Sequence, residues 1–196
     1  MSDDPSYLAK LQRHYARHRT IPSYAGIGKL VGLSSKSSAH ALVARLKEEG
    51  YLQDAPGRRL APARRFFERL LADSRVAAGF PDAVAEGVGD AMMIDEYLVE
   101  HPGKTILVTV KGDSMEDAGI LAGDIVIVER GASANAGDIV VAIVDNEFTI
   151  KTLASDRNGF YLKAANPAYP PIRAKGQLEI FGVVVSQFRK YRKPKR

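Results

Sequence analysis

Lys111-Gly112-Asp113-Ser114-Met115, followed 37 residues after the serine by Lys151, is the stretch on which the reading of this chain turns. Gly112 and Asp113 make a turn directly after the strand-like run Thr105 to Val110, so Ser114 is expected at a strand end on a tight backbone. A serine hydroxyl is a poor nucleophile at neutral pH until a base takes its proton. Lysine serves as that base only where burial keeps its amine neutral. Lys151 lies in Phe148-Thr149-Ile150-Lys151-Thr152-Leu153, where the two-residue period of a strand puts Thr149, Lys151 and Leu153 on one face. Flanked in this way its charged form is disfavoured, and its pKa is expected to fall. The backbone amides of Asp113 and Ser114 are the expected donors to a developing oxyanion. Standing alone, Gly-Asp-Ser is a common turn whose serine caps a helix, and a strand lysine is ordinarily an edge residue. The surrounding chain has to decide between these readings.

Around this stretch the chain is β-rich. Thr105 to Val110, Asp124 to Glu129, Asp138 to Val144, Phe148 to Leu153, Phe160 to Ala164 and Leu178 to Ser186 are short and rich in Val and Ile. Turn signals such as Ala122-Gly123-Asp124, Ala136-Gly137-Asp138 and Arg157-Asn158-Gly159 separate them, which predicts an all-β domain. Asp95 to Glu100 adds one short helix. Upstream, in Val76-Ala77-Ala78-Gly79-Phe80-Pro81, small residues beside an apolar one make a strand that a protease groove could grip. From Ala61 to about Ala77 the pattern loosens: Phe66, Phe67, Leu70 and Leu71 could make one more helical turn packed on either domain, but Pro62 and the charged Arg64, Arg65, Glu68, Arg69 and Asp73 suit a connector.

The N-terminal third reads differently. Leu8, Leu11 and Tyr15 share one helical face; Ser23 can cap a second helix carrying Ile27, Leu30 and Val31; Ser34 or Ser35 can cap a third carrying Ala39, Leu42, Val43 and Leu46. Gly32 and Gly50 supply the stops. Tyr51 to Leu60 then folds into two short strands about Pro56-Gly57. Three helices and a hairpin make the order of a winged helix-turn-helix, a mainly α domain. Bound to DNA, its third helix would offer Ser35, Lys36, Ser37, Ser38 and His40 to the major groove, and Arg58 and Arg59 would meet the backbone or minor groove. Short hydroxyl side chains discriminate bases weakly, so no operator sequence follows from them.

Charge agrees with that division. Residues 1–71 hold 13 Lys/Arg against 6 Asp/Glu, residues 72–188 hold 9 against 17, and six of the last eight residues are basic. A basic head on an acidic body points to a polyanion-binding module joined to a second function. With 196 residues, 45% of them hydrophobic and 26% charged, the chain suits two packed domains. These are expected at residues 1–61 and 78–196, with 62–77 as the linker. There is no cysteine, and the four histidines, His14, His18, His40 and His101, lack metal-ligand spacing. No disulfide framework, metal site or cofactor is therefore expected. Neither a signal peptide nor an apolar run of about 18 residues is present, so the expected location is the cytoplasm, away from any membrane.

Gly112-Asp113-Ser114-Met115, then Ile120-Leu121-Ala122-Gly123-Asp124, Gly137-Asp138-Ile139-Val140-Val141-Ala142 and Phe148-Thr149-Ile150-Lys151 together resemble the self-cleaving Ser-Lys peptidase family of LexA repressors, UmuD and phage repressors. Phe80-Pro81, Tyr97 to Pro102 and Phe181 to Val184 look closer to UmuD, whereas residues 6–60 resemble the LexA winged helix-turn-helix. The third helix departs from the usual LexA pattern by carrying Ser37, Ser38, His40 and Ala41. The resemblance implies a Ser114–Lys151 dyad and a scissile bond between Ala78 and Gly79. It also implies a homodimer held by the C-terminal domain, double-stranded operator DNA as ligand, and a RecA-single-stranded-DNA filament as co-protease. The function so implied is a repressor of damage-response genes that inactivates itself by cleavage. The rival readings are a UmuD-like accessory protein of translesion synthesis and a relative of signal peptidases.

Overall fold

Two serines start helices. The Ser23 hydroxyl accepts from the Gly26 amide at 3.3 Å, and the Ser35 hydroxyl accepts from Ser38 at 3.0 Å, each satisfying a first-turn N–H that has no partner within its helix. The computed structural model describes residues 4–72, 88–173 and 178–191. The chain divides into two compact units, Met1–Met93 and Ile94–Arg196.

The first unit holds α1 (Asp4–His18), α2 (Tyr24–Val31) and α3 (Lys36–Glu48), followed by a hairpin of β1 (Leu52–Ala55) and β2 (Arg59–Pro62). Gly32 ends α2 with φ at 86°, a left-handed geometry that costs little without a side chain. Leu11, Ile27, Val31, Leu42, Val43, Leu46, Leu52 and Leu60 bury the predicted apolar faces in one core. A carboxylate–guanidinium pair ties Asp4 to Arg45 at 2.6 and 2.8 Å, fastening the start of α1 to α3. The hairpin pairs Leu52 with Pro62 and Ala55 with Arg59, and Gly57 and Arg58 both take positive φ at its tip.

The stretch expected as a charged connector is more ordered than its composition suggests. Arg64–Phe67 forms one 3-10 turn that drops Phe66, 2% exposed, into the helical core, where its ring meets Tyr15 edge-on at 5.5 Å. Gln12 holds that turn by donating to the Phe66 carbonyl at 2.8 Å. Arg69–Ala72 is then a strand, β3, antiparallel to β4 (Val88–Met92), with Arg69 opposite Met92 and Ala72 opposite Val88. Charge density misleads here because Arg64 and Arg65 stay on the surface while a single aromatic is buried. The strand expected at Val76 to Pro81 lies outside the described residues.

The second unit begins with the short α4 (Ile94–Leu98) and a 3-10 turn at Pro102–Lys104. Six strands follow among the described residues: β5 (Thr105–Thr109), β6 (Ile125–Arg130), β7 (Ile139–Val144), β8 (Glu147–Asp156), β9 (Gly159–Lys163) and β10 (Glu179–Phe188). They form one antiparallel sheet in the order β5-β6-β10-β7-β8-β9. The last strand of the chain is thus an inner one, paired with β6 on one side and β7 on the other. Its pairing shifts register between Ile180 and Gly182 and again between Val184 and Ser186, bulges that bend a ten-residue strand around the core. Val110, Met115, Ile120, Val126, Val128 and Val141 make one buried cluster and Val140, Ala142, Leu153 and Leu162 another. The first of these clusters seats the turn that carries Ser114.

Candidate active site

Ser114 is held by what lies on either side of it. The backbone of Val110 exchanges hydrogen bonds with Gly123 and Asp124, 3.0 and 2.9 Å, which closes the loop between β5 and β6 at its base. Gly112, φ 78°, then turns the chain, and Met115, 2% exposed, plugs the core immediately after the serine. Glu116–Ala118 makes one 3-10 turn that Gly119 ends at φ 75°. Asp124, 1% exposed, accepts from the Leu121 amide at 2.8 Å and takes both arms of the Arg189 guanidinium, which also donates to the Gly119 carbonyl at 2.9 Å. That guanidinium, with help from the Leu121 amide, holds the Asp124 carboxyl below the usual carboxylate range.

Lys151 comes from the middle of β8, opposite Val140 of β7, and is 6% exposed. Its amine makes three hydrogen bonds: to Ser114 Oγ at 2.8 Å, to Thr149 Oγ1 at 3.0 Å and to the Ile150 carbonyl at 2.9 Å. The sharing of one face by Thr149 and Lys151 follows the two-residue period. Burial pushes the Lys151 amine below its ordinary 10.5, the direction a general base needs. Beside the pair a groove of about 450 Å³ is lined by Ile106, Val108, Val110, Val141, Phe148 and Phe181, with Ser114 on its wall. Such a site can activate a hydroxyl next to an apolar chain laid in the groove.

Reading the sequence missed the segment that grips the serine turn from outside. Asn166, 8% exposed, donates from Nδ2 to the Asp113 carbonyl at 3.1 Å and to Glu116 Oε1 at 2.9 Å. The Tyr169 hydroxyl donates to the Asp113 carboxylate, which pushes the phenol pKa up. Asn166-Pro167 carries a turn signal and nothing more, so only its place in the fold marks it.

In the first unit, Lys36, Ser37, Ser38 and His40 lie exposed on the first turns of α3, and Ser35 is its N-cap. Ser35 Oγ also meets Ser37 Oγ at 2.9 Å and Ser38 Oγ at 2.7 Å, so these hydroxyls are linked among themselves. The His40 ring stacks on Tyr24 at 4.3 Å. Arg58 and Arg59 are exposed at the hairpin. Ala78 and Gly79 lie outside the described residues. Among the described residues no group of three or more His, Asp or Glu could hold a metal ion, and no helix is long and apolar enough to cross a membrane.

A family model described as Peptidase S24-like matches residues 70–185, which span the serine turn, the lysine strand and the whole six-stranded sheet up to Val185. The chain belongs to the LexA-like Ser-Lys peptidase family. Among curated relatives, the LexA repressor of Pelotomaculum thermopropionicum is 37% identical over 177 residues, covering 86% of this chain and 86% of that protein. The LexA repressor of Bacillus mycoides is 33% identical over 183 residues with the same coverage. That of Acetivibrio thermocellus is 31% identical over 187 residues, 86% of this chain and 87% of its own. Such coverage cannot be reached within the S24-like region alone, so the LexA likeness extends into the helical unit. As a member of the family the chain is a serine endopeptidase that acts on itself.

Proposed function

We propose that this chain is a LexA-like transcriptional repressor of DNA-damage-response genes that switches itself off by cutting between Ala78 and Gly79. Residues 1–61 act as a winged helix-turn-helix DNA reader, 62–77 as the connection, and 78–196 as the peptidase and dimerisation body, working in the cytoplasm. The observation that carries the reading is the hydrogen bond of a buried lysine amine to a serine hydroxyl at 2.8 Å beside an apolar groove. Lys151, neutral, takes the proton as Ser114 Oγ attacks the Ala78 carbonyl carbon. The Asp113 and Ser114 amides receive the oxyanion. Collapse breaks the Ala78–Gly79 bond, Lys151 returns the proton to the Gly79 amine, and water then frees the Ala78 carboxylate from Ser114.

The cut acts as a switch because two readers held in one dimer bind a two-half-site operator with an avidity about 10² to 10⁴ above one alone. Severing residues 1–78 from the dimerising body removes the covalent tether and leaves the short β3–β4 pairing, a two-stranded contact that is marginal by itself, between the two pieces. A RecA-single-stranded-DNA filament would trigger cleavage by favouring the cleavable conformation, since the acid-base and nucleophilic groups are all in this chain. Contacts to DNA fall to Lys36, Ser37, Ser38, His40, Arg58 and Arg59, with Ser35 shaping the start of α3. The accessory-protein reading is not favoured, because LexA repressors match through both units.

Full-length protein incubated at alkaline pH without partner is the direct test. Mass spectrometry should find residues 1–78 and a fragment beginning Gly79-Phe80-Pro81. A cut elsewhere, or none, overturns the assigned bond. Selection of bound duplexes from random DNA, with intact and cut protein compared, tests the reader and its release.

A further inference from the structure

Segment 165–169 grips the serine turn through four hydrogen bonds whose geometry bears on the oxyanion donors. Besides the Asn166 and Tyr169 bonds to Asp113 and Glu116, the Asp117 amide donates to the Ala165 carbonyl at 2.9 Å. Asn166 Oδ1 is itself engaged, accepting from the Ala168 amide at 2.9 Å. That sets the orientation of its side chain. Turned over, its oxygen would face the Asp113 carbonyl and the Glu116 carboxylate, and its NH₂ would face a backbone N–H.

The Asp113 carbonyl and the Ser114 N–H belong to one peptide plane. Because a trans peptide points its N–H opposite to its C=O, anchoring the Asp113 carbonyl fixes the direction of the Ser114 N–H. The same carbonyl also accepts from the Glu116 amide at 3.1 Å. Two donors on one carbonyl polarise the amide and strengthen its N–H as a donor. The buried, donor-specific hydrogen bond of Asn166 is therefore aimed at the far side of the peptide that carries a proposed oxyanion donor.

We infer that Asn166, assisted by Tyr169, is a positioning residue for self-cleavage: it holds the Asp113–Ser114 peptide so that the Ser114 N–H points at the carbonyl under attack. This rests on Ser114 as nucleophile. Asn166 lies 53 residues from Asp113 and its side chain bonds the turn rather than Ser114 Oγ or the Lys151 amine, so its effect is on the attainable rate and not on the proton affinity of the base.

The test uses the full-length chain at alkaline pH, following self-cleavage against pH and the labelling of Ser114 by a phosphonofluoridate. Deleting an oxyanion donor outright costs about 10² to 10³ in rate. Loss of its alignment through Asn166→Ala is expected to lower both plateau rates at least about tenfold, with the midpoint of the pH profile unmoved. Asn166→Asp, which keeps the shape and the bond from Ala168 but turns the donor into an acceptor, is expected to be at least as slow. Tyr169→Phe, at a half-exposed site that does not threaten folding, is expected to lose about threefold. A role confined to holding the fold would lower the melting temperature and leave the rate of the folded fraction unchanged. The inference is overturned if both Asn166 variants fold and cleave within about twofold of wild type. Should neither fold, a wild-type rate for Tyr169→Phe overturns it. A Ser114→Ala control separates the two readings: if that variant is cut, the nucleophile assignment fails and takes the inference with it. If it is inert while the Asn166 variants run at full rate, only the positioning role fails.

Discussion

Lys151 Nζ lies 2.8 Å from Ser114 Oγ on a strand whose neighbours leave the lysine only 6% exposed. A buried amine whose pKa is pushed below 10.5 takes a proton only after losing its own. Partner-free cleavage should therefore rise about tenfold per pH unit below the pKa of the folded amine and level off above it. A rate constant flat from neutral to alkaline pH would rule out lysine as base.

The same burial has a consequence for stability. Between the lowered folded pKa and 10.5 the unfolded chain binds more protons than the folded one, so this group makes stability rise with pH across that window. Below it, the cost of the buried cation is present in full. Lys151→Met should thus unfold at a higher denaturant concentration than wild type near neutral pH, with the difference shrinking above the ordinary lysine range. Chemical denaturation of uncleaved protein at the two pH values is the measurement.

Ser114→Ala and Lys151→Ala should each slow self-cleavage at least about 10³-fold while leaving DNA retention in a gel-shift assay unchanged. Normal cutting of either variant would remove the pair from the mechanism.

Gly182 sits opposite Arg130 where β10 pairs with the end of β6, and a Cβ there would meet the Glu129 carbonyl oxygen at 2.6 Å. Backbone cannot swing aside as a side-chain tip can. Gly182→Ala should destabilise the second unit by about 1–3 kcal/mol or more, read as a lower denaturation midpoint.

Arg58 and Arg59, exposed at the hairpin tip, are expected to meet phosphates. Replacing both by Ala should weaken DNA binding across all sequences and reduce the slope of log affinity against log salt by about 0.9 for each phosphate no longer neutralised. A change in sequence preference at constant slope would instead place them on bases.

How far the sequence reached differs from element to element. Ser23 caps α2 as its spacing to the first apolar residues indicates, Ser35 rather than Ser34 caps α3, and all six strands of the sheet begin and end within about three residues of their Val- and Ile-rich runs. Caps, turns and two-residue alternation are set by sterics and hydrogen bonds within a few residues, so they are written locally. β3 and β4 were not legible. Val88-Gly89-Asp90-Ala91-Met92 has little strand character of its own and is a strand only because Arg69–Ala72 pairs with it.

For the site, the candidate chemistry is written locally: a serine on a glycine turn, a lysine in a strand of apolar neighbours, and the family motifs that join them. What surrounds that chemistry comes from the folded chain. Folding seated β10, last in the chain, between β6 and β7, and it brought Asn166 to the Asp113 carbonyl across 53 residues. Neither follows from local preference. Strand order is chosen by which arrangement buries all the apolar faces at once, and a polar anchor acquires its partner only after that choice has closed the core.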